Sequence, residues 1–231
     1  MEITAEKNKK RYPAIRDCGL ADYREILGLQ QELHRKRQKG NIPDTVIVVE
    51  HPSVITLGAR QTANKLRLEP AELRNRGINV VAVRRGGGTT AHNPGQLVVY
   101  PILHLQQLGL GVTEYIRRLE AIGMELLESI GVHSERRAGF PGLWVLQKNS
   151  KYKNQKSKMR KIASIGVRVS RGVSYHGMAI NIQNDLSIFE LIVPCGLEDI
   201  EMTSVLKETG KRHEMNEVKQ QLTGVLTKCF G

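Results

Sequence analysis

RRGGGTTAHNPGQ, residues 84–96, holds four glycines and runs directly into Leu97-Val98-Val99-Tyr100-Pro101, a string of β-formers. A phosphate-binding P-loop ends in Gly-Lys-Ser/Thr and opens a helix, and a dinucleotide loop needs GxGxxG at a helix N-terminus that faces pyrophosphate. Neither spacing is present here, and the segment opens a strand, so no helix dipole is aimed at an anion. That argues against a doubly wound nucleotide fold. Two readings of the glycines stay open: a tight hairpin that uses them for positive φ, or close approach of backbone to an extended ligand. His92 likewise reads either as a hydrogen-bonded structural histidine or as a catalytic one.

Upstream, Val80–Val83 delivers a strand into the loop, and Pro70 suits the first turn of a short helix through Arg74. Val46–Val49 is a β-branched run fit for burial on both faces, and Val54–Leu57 follows the His51-Pro52 turn. From Ala21, helical spacing of Tyr23, Ile26, Leu29 and Leu33 predicts a helix stopped at Gly40. Downstream, Ile116, Leu119, Ile122 and Leu126 predict a helix from Thr113 to Ile130 with Gly131 as its stop. Lys161–Val169 and Ser174–Ile182 read as a hairpin about Arg171-Gly172, and a last helix covers Met215–Lys228. Strands and helices interleave without a strict βαβ rhythm. The expectation is an α/β (α+β) fold, a mixed sheet with flanking helices in a single domain over 1–231.

Only 4% of the residues are aromatic, so aliphatic side chains must fill the core. No segment reads as a secretory signal or reaches 18 consecutive apolar residues, which predicts a soluble, cytoplasmic protein with no membrane partner. Cys18, Cys195 and Cys229 are odd in number and lack CxxC spacing, so neither a disulfide framework nor a metal site is expected. The net charge of +12 draws attention to polyanions, yet no RNA-binding aromatic motif accompanies it, and no nucleic-acid partner is expected. Much of the excess lies in a basic loop at 148–160, KNSKYKNQKSKMR, which is either a mobile solvated segment or a docking surface for an acidic protein.

Cys195 sits in Ile192-Val193-Pro194-Cys195-Gly196-Leu197, where a proline fixes the approach and a glycine removes bulk beside the sulfur. It reads as an exposed nucleophile on a turn or as a buried structural thiol; Cys18 and Cys229 read as the latter. A free thiol of pKa about 8.5 is mostly protonated at neutral pH, and a neighbouring cation that lowers it by about two units, roughly 2.7 kcal/mol, makes it mostly thiolate. Lys161, at the head of KIASIGVRV, is either that cation or merely the last charge of the basic run.

Five blocks in order, EHPSVITLGAR (50–60), RGGGTTAHNPGQLVVYPILHL (85–105), KIASIGVRV (161–169), YHGMAINI (175–182) and IVPCGLEDIEMTSV (192–205), resemble the lipoyl(octanoyl) transferases. The resemblance implies a biotin/lipoate protein ligase-like fold and an octanoyltransferase, a step of lipoate biosynthesis and protein lipoylation. The octanoyl group would pass from octanoyl-acyl carrier protein, through a thioester on Cys195, to a lysine of lipoyl domains of 2-oxoacid dehydrogenases or of glycine cleavage H protein. It makes Cys195 the acyl acceptor and Lys161 the partner that lowers its pKa. The acyl pocket would be Arg85, Gly86, Gly87, Gly88, Thr89, Thr90, Ala91 and His92, with Ser164, Ile165 and Gly166, and with Gly177, Met178 and Ala179; His176 also falls on a family histidine. No cofactor is implied, neither ATP nor metal, because the carrier brings the acyl group on phosphopantetheine. The family loop usually reads RGGQxTYHGPGQ; Gly88, Ala91 and Asn93 depart from it, and the lost tyrosine is expected to open the acyl wall. The alternatives are an ATP-dependent lipoate or biotin ligase of the same fold, against which the PCG block argues, and a non-catalytic acyl- or nucleic-acid-binding protein.

Overall fold

The structure is a computed structural model that describes residues 12–147, 159–194 and 200–230. In chain order it holds β1 (Ala14–Leu20), α1 (Tyr23–Gln38), β2 (Thr45–Glu50), β3 (Val54–Leu57), α2 (Pro70–Asn75), β4 (Asn79–Ala82), β5 (Thr90–His92) and β6 (Gln96–Ile102). Then follow α3 (Val112–Ser129), β7 (Glu135–Arg137), β8 (Phe140–Leu146), β9 (Met159–Ser170), β10 (Val173–Asn181), α4 (Val205–Thr209) and α5 (Met215–Phe230). A seven-stranded sheet runs β1-β2-β6-β10-β9-β8-β7, and a three-stranded one runs β4-β3-β5. The large sheet is mixed as expected: β1 is parallel to β2, and its other neighbours are antiparallel.

Alternation along the central strands builds two cores at once. Val46 and Val48 of β2, Leu97 and Val99 of β6 and Met178 and Ile180 of β10 pack with Leu119, Ile122 and Leu126 of α3 and Leu222 and Leu226 of α5. Their intervening neighbours Ile47, Val49, Val98, Tyr100 and Ala179 face the other way, against Ile26 of α1. Strands covered on both faces have no polar side to show, which explains the unbroken apolar runs. Each fully buried Val, Leu or Ile contributes about 1.5–3 kcal/mol.

Between β2 and β6 the chain leaves the large sheet, builds the small one, and returns through Asn93-Pro94-Gly95. The separate small sheet is not foreseen in the sequence, because its strands carry the same β signals as the rest. Helix α1 starts two residues later than predicted: the Ala21 amide is tied to the Glu50 carbonyl (3.0 Å), and the Asp22 carboxylate caps the Arg24 amide at 2.7 Å. The hairpin stands where expected, with Arg171 and Gly172 at φ 49° and 76°, a two-residue turn of the type that matches strand twist. Strand β9 begins at Met159, not Lys161, so Arg160 belongs to the sheet rather than to the basic loop, and its guanidinium pairs with Glu208 at 2.7 Å. The rest of that expected loop, 148–158, lies outside the described residues. Among the described residues, no helix is long and apolar enough to cross a membrane.

Candidate active site

A cleft opens where the glycine loop crosses the large sheet. Its walls are Arg85, Gly86, Gly87, Thr90 and His92 on one side, and Ser164, Ile165, Gly166, His176, Gly177, Met178 and Ala179 on β9 and β10. Val98 and Tyr100 of β6 and Tyr23 of α1 complete it. The cleft is narrow, with about 40 Å³ of space open to water. The antiparallel register sets Ser164, Ile165 and Gly166 directly opposite Ala179, Met178 and Gly177, so these two triplets form one floor.

Arg85 holds the loop in place. Its guanidinium donates to the Thr56 carbonyl (2.9 Å) and hydroxyl (2.8 Å) and to the Gly86 carbonyl (3.0 Å), while the Gly86 amide donates to the Val167 carbonyl (3.0 Å). A planar fork with several fixed acceptors makes Arg85 a clamp between the small sheet and β9. Side chains alternate across β5, which corrects part of the sequence expectation. Thr90 and His92 face the cleft, whereas Ala91 points into the small sheet's core with Ile55, Leu73, Phe189 and Met202. Ala91 is therefore no part of the cleft wall, and a small residue there does not widen it. Gly88 and Thr89 also lie off the cleft: a Cβ at Gly88 would collide with the Ala63 carbonyl, and the Thr89 hydroxyl accepts the Lys65 amide at 2.9 Å.

Around His92 the sequence places a buried aromatic group. His92 stacks on Tyr23 (5.7 Å between ring centres) and meets His51 edge-on, and His51 bonds the Tyr100 hydroxyl at 2.9 Å and the Ala21 carbonyl at 2.8 Å. Burial, with the nearby His51, pushes the His92 pKa down to about 3. Burial, then Arg85 and Arg168, does the same to His176. Burial raises the Tyr23 phenol to about 12. His176 is also strained: its φ is +57°, and among the described residues neither ring nitrogen has a hydrogen-bond partner.

Lys161 is 3% exposed, its Nζ donating to the Pro141 carbonyl at 3.1 Å and lying 5.0 Å over the Trp144 ring. The Lys161 Nζ is thus held between a carbonyl dipole and a ring face. Its backbone is gripped as well, the amide donating to the Glu201 carbonyl (2.8 Å) and the carbonyl accepting the Thr203 amide (2.9 Å). Cys195 and residues 196–199 lie outside the described residues. The approach to them is described: the Val193 amide donates to the Lys65 carbonyl at 3.1 Å, beside Thr89. Residues 193–194 and 200–203 thus border the cleft loop on one side and Lys161 on the other. Cys18 and Cys229 are half-buried free thiols whose pKa burial raises, so neither is an activated nucleophile. Among the described residues no cluster of three or more His, Cys, Asp or Glu side chains is arranged to hold a metal.

Residues 22–227 match the family model of the lipoyl protein ligase A/B catalytic domain. The chain belongs to that family. It is 42% identical over 214 residues to an octanoyltransferase of Syntrophobacter fumaroxidans, covering 93% of this chain and 89% of that one. An octanoyltransferase of Chloroflexus aggregans is 42% identical over 213 residues, with 92% of each chain covered. Among solved structures, a lipoate-protein ligase A bound with ATP superposes with a TM-score of 0.72 at 16% identity, over 95% of this chain and 85% of that one. At that identity the likeness establishes the fold. The motif blocks hold most of the cleft lining; Tyr23 lies outside them, Val98 and Tyr100 read within the 85–105 block as ordinary strand core, and Gln96 and Asn181 stand in blocks that give them no role.

Proposed function

We propose that this chain is an octanoyltransferase of protein lipoylation that works by two successive acyl transfers at Cys195. One observation carries the reading: three groups separated by up to about ninety residues in sequence, 85–87 with Thr90 and His92, 164–166, and 177–179, converge on a single apolar-walled cleft. Saturated acyl chains need such a cleft, and backbone exposed by glycine lies against hydrocarbon more closely than a side chain allows. The Cys195 thiolate attacks the thioester carbonyl of octanoyl-acyl carrier protein, the phosphopantetheine thiol leaves, and an octanoyl-Cys195 thioester forms. The ε-amine of a lipoyl-domain lysine then attacks that carbonyl; the C–N bond forms, the C–S bond breaks, and the amine proton ends on the Cys195–Lys161 pair. Lys161, fixed by Pro141 and Trp144, supplies the positive charge that keeps the thiol ionised. A thioester is more reactive than the amide it becomes, so the reaction needs neither ATP nor metal.

The lysines of 148–158 supply concentrated positive charge, which would draw the carrier, an acidic protein, by long-range attraction. The protein acts in the cytoplasm, where carrier and lipoyl domains meet. The reading is tested by transfer from octanoyl-acyl carrier protein to an isolated lipoyl domain with a chelator present and ATP omitted. Octanoylation under those conditions supports it; an absolute requirement for ATP would assign the chain to the ligases instead.

A further inference from the structure

His92 can be assigned its proton from hydrogen bonds that admit only one direction. The Thr203 carbonyl can only accept, so the Asn181 side-chain amide donates to it (2.9 Å) and turns Oδ1 toward Gln96. Gln96 Nε2 then donates to Asn181 Oδ1 at 2.8 Å and also to the Ala91 carbonyl at 3.3 Å, another obligate acceptor. Both bonds turn Gln96 Oε1 toward His92 Nδ1, 2.7 Å away, and an oxygen there requires the proton on Nδ1. His92, Gln96, Asn181 and Thr203 are all buried, so water does not compete for these bonds. The chain ends at Thr203, whose amide bonds the Lys161 carbonyl, so one network spans from the cleft to the lysine.

With Nδ1 engaged, Nε2 is a bare lone pair on a ring that lines the cleft, and among the described residues no hydrogen bond reaches it. We propose that Gln96 and Asn181 are positioning residues that lock His92 as the Nδ1–H tautomer and present Nε2 as the hydrogen-bond acceptor for the amine of the incoming lysine. This rests on the acyl-transfer reading. An acyl chain has no donor to offer, and the thioester has none at its reacting carbonyl; the primary amine is the reactant that carries N–H at its attacking atom. A neutral acceptor takes one N–H and leaves the nitrogen lone pair to aim at the carbonyl. His92 takes no proton in this step, which is why a ring too weakly basic to charge is suitable.

The test has two arms on the full chain. Imidazole ¹⁵N spectra, with the His92 signals assigned by their loss in His92→Phe, should show protonated Nδ1 and bare Nε2 from pH 5.5 to 8, and Gln96→Met should shift the ring toward the other tautomer. In single turnovers with octanoyl-acyl carrier protein and a lipoyl domain, Gln96→Met and His92→Phe should slow aminolysis of the preformed acyl-enzyme about tenfold more than they slow its formation, the worth of one hydrogen bond. His92→Gln, which keeps an acceptor near the Nε2 position, should restore part of the loss. A protonated Nε2 in the unaltered enzyme would overturn the locking chain. Slowing confined to acyl-enzyme formation would overturn the amine's role and assign the contact to the carrier's arm. If the unaltered enzyme formed no acyl adduct at all, the acyl-transfer reading would fall and the amine's role with it, while the spectra would still judge the tautomer.

Discussion

At the scale of single residues, burial forces the two cleft histidines to be neutral. His92 and His176 both have folded pKa values near 3, below the ordinary 6.5, chiefly because burial penalises the imidazolium. The unfolded chain therefore binds protons that the folded one refuses. Their contribution to stability is complete above about 6.5 and is lost as pH falls toward about 3. Thermal unfolding should thus show a midpoint falling between pH 7 and pH 5, and the fall should shrink in His92→Phe; an equal pH slope in the variant would refute the assignment. Gly88 makes a second prediction. Since a Cβ there collides with the Ala63 backbone, Gly88→Gln, which restores the usual family residue, should destabilise the protein by about 1–3 kcal/mol in a denaturant titration. Ala91→Tyr should likewise overpack the small sheet's core and leave the preferred acyl length where it was, as a comparison of hexanoyl, octanoyl and decanoyl donors would show. The motif draws attention to residues 85–92; which of them face the cleft depends on strand alternation within β5, invisible while the stretch reads as a loop.

At the scale of elements, the loop is held by Arg85 through Thr56, and the choice of arginine matters because its bonds fan out in one plane. Arg85→Lys should keep the charge, lose the fork and lower transfer about tenfold, with faster amide exchange at 86–88 as its physical sign. Unchanged exchange would mean that other contacts hold the loop. By contrast, Gly172→Ala strains a φ of 76° in the hairpin turn, away from the cleft lining, and should cost about 1 kcal/mol of stability with transfer intact. Elements with a strong period or a run of β-branched residues were legible: α1, α3, α5, β2, β3 and β6 stand near their predicted places. The α3 face is turned slightly, with Tyr115 and Leu127 buried beside Leu119, Ile122 and Leu126, and Ile116 only half-buried. Strands β1, β7 and β8 were not legible. Edge strand β1 carries Arg16 and Asp17 without alternation, β7 is three exposed residues, and β8 interrupts its apolar run with Pro141 and Gly142. Their pairing comes from neighbours distant in sequence, which no local pattern encodes.

At the scale of the whole molecule, the two sheets meet at the turn that returns the chain to β6. Glu50, at the end of β2, accepts the Gly95 amide (3.0 Å) and faces Lys219 of α5 at 3.4 Å, so the last helix braces the loop that forms the cleft. Lys161 enters from the opposite edge, between β8 and the 200–203 segment, and the 192–194 run approaches from the small sheet. Cleft, lysine and cysteine approach thus come from parts of the chain that only the completed fold brings together, whereas the motifs named them one by one. The most direct test is intact mass spectrometry after mixing with octanoyl-acyl carrier protein. The unaltered chain should gain one hydroxylamine-labile octanoyl group, Cys195→Ala none, and Lys161→Ala should gain it more slowly, with a pH dependence shifted upward. An unmodified chain that still transfers octanoyl to a lipoyl domain, or a Cys195→Ala variant that acquires the adduct, would contradict the account.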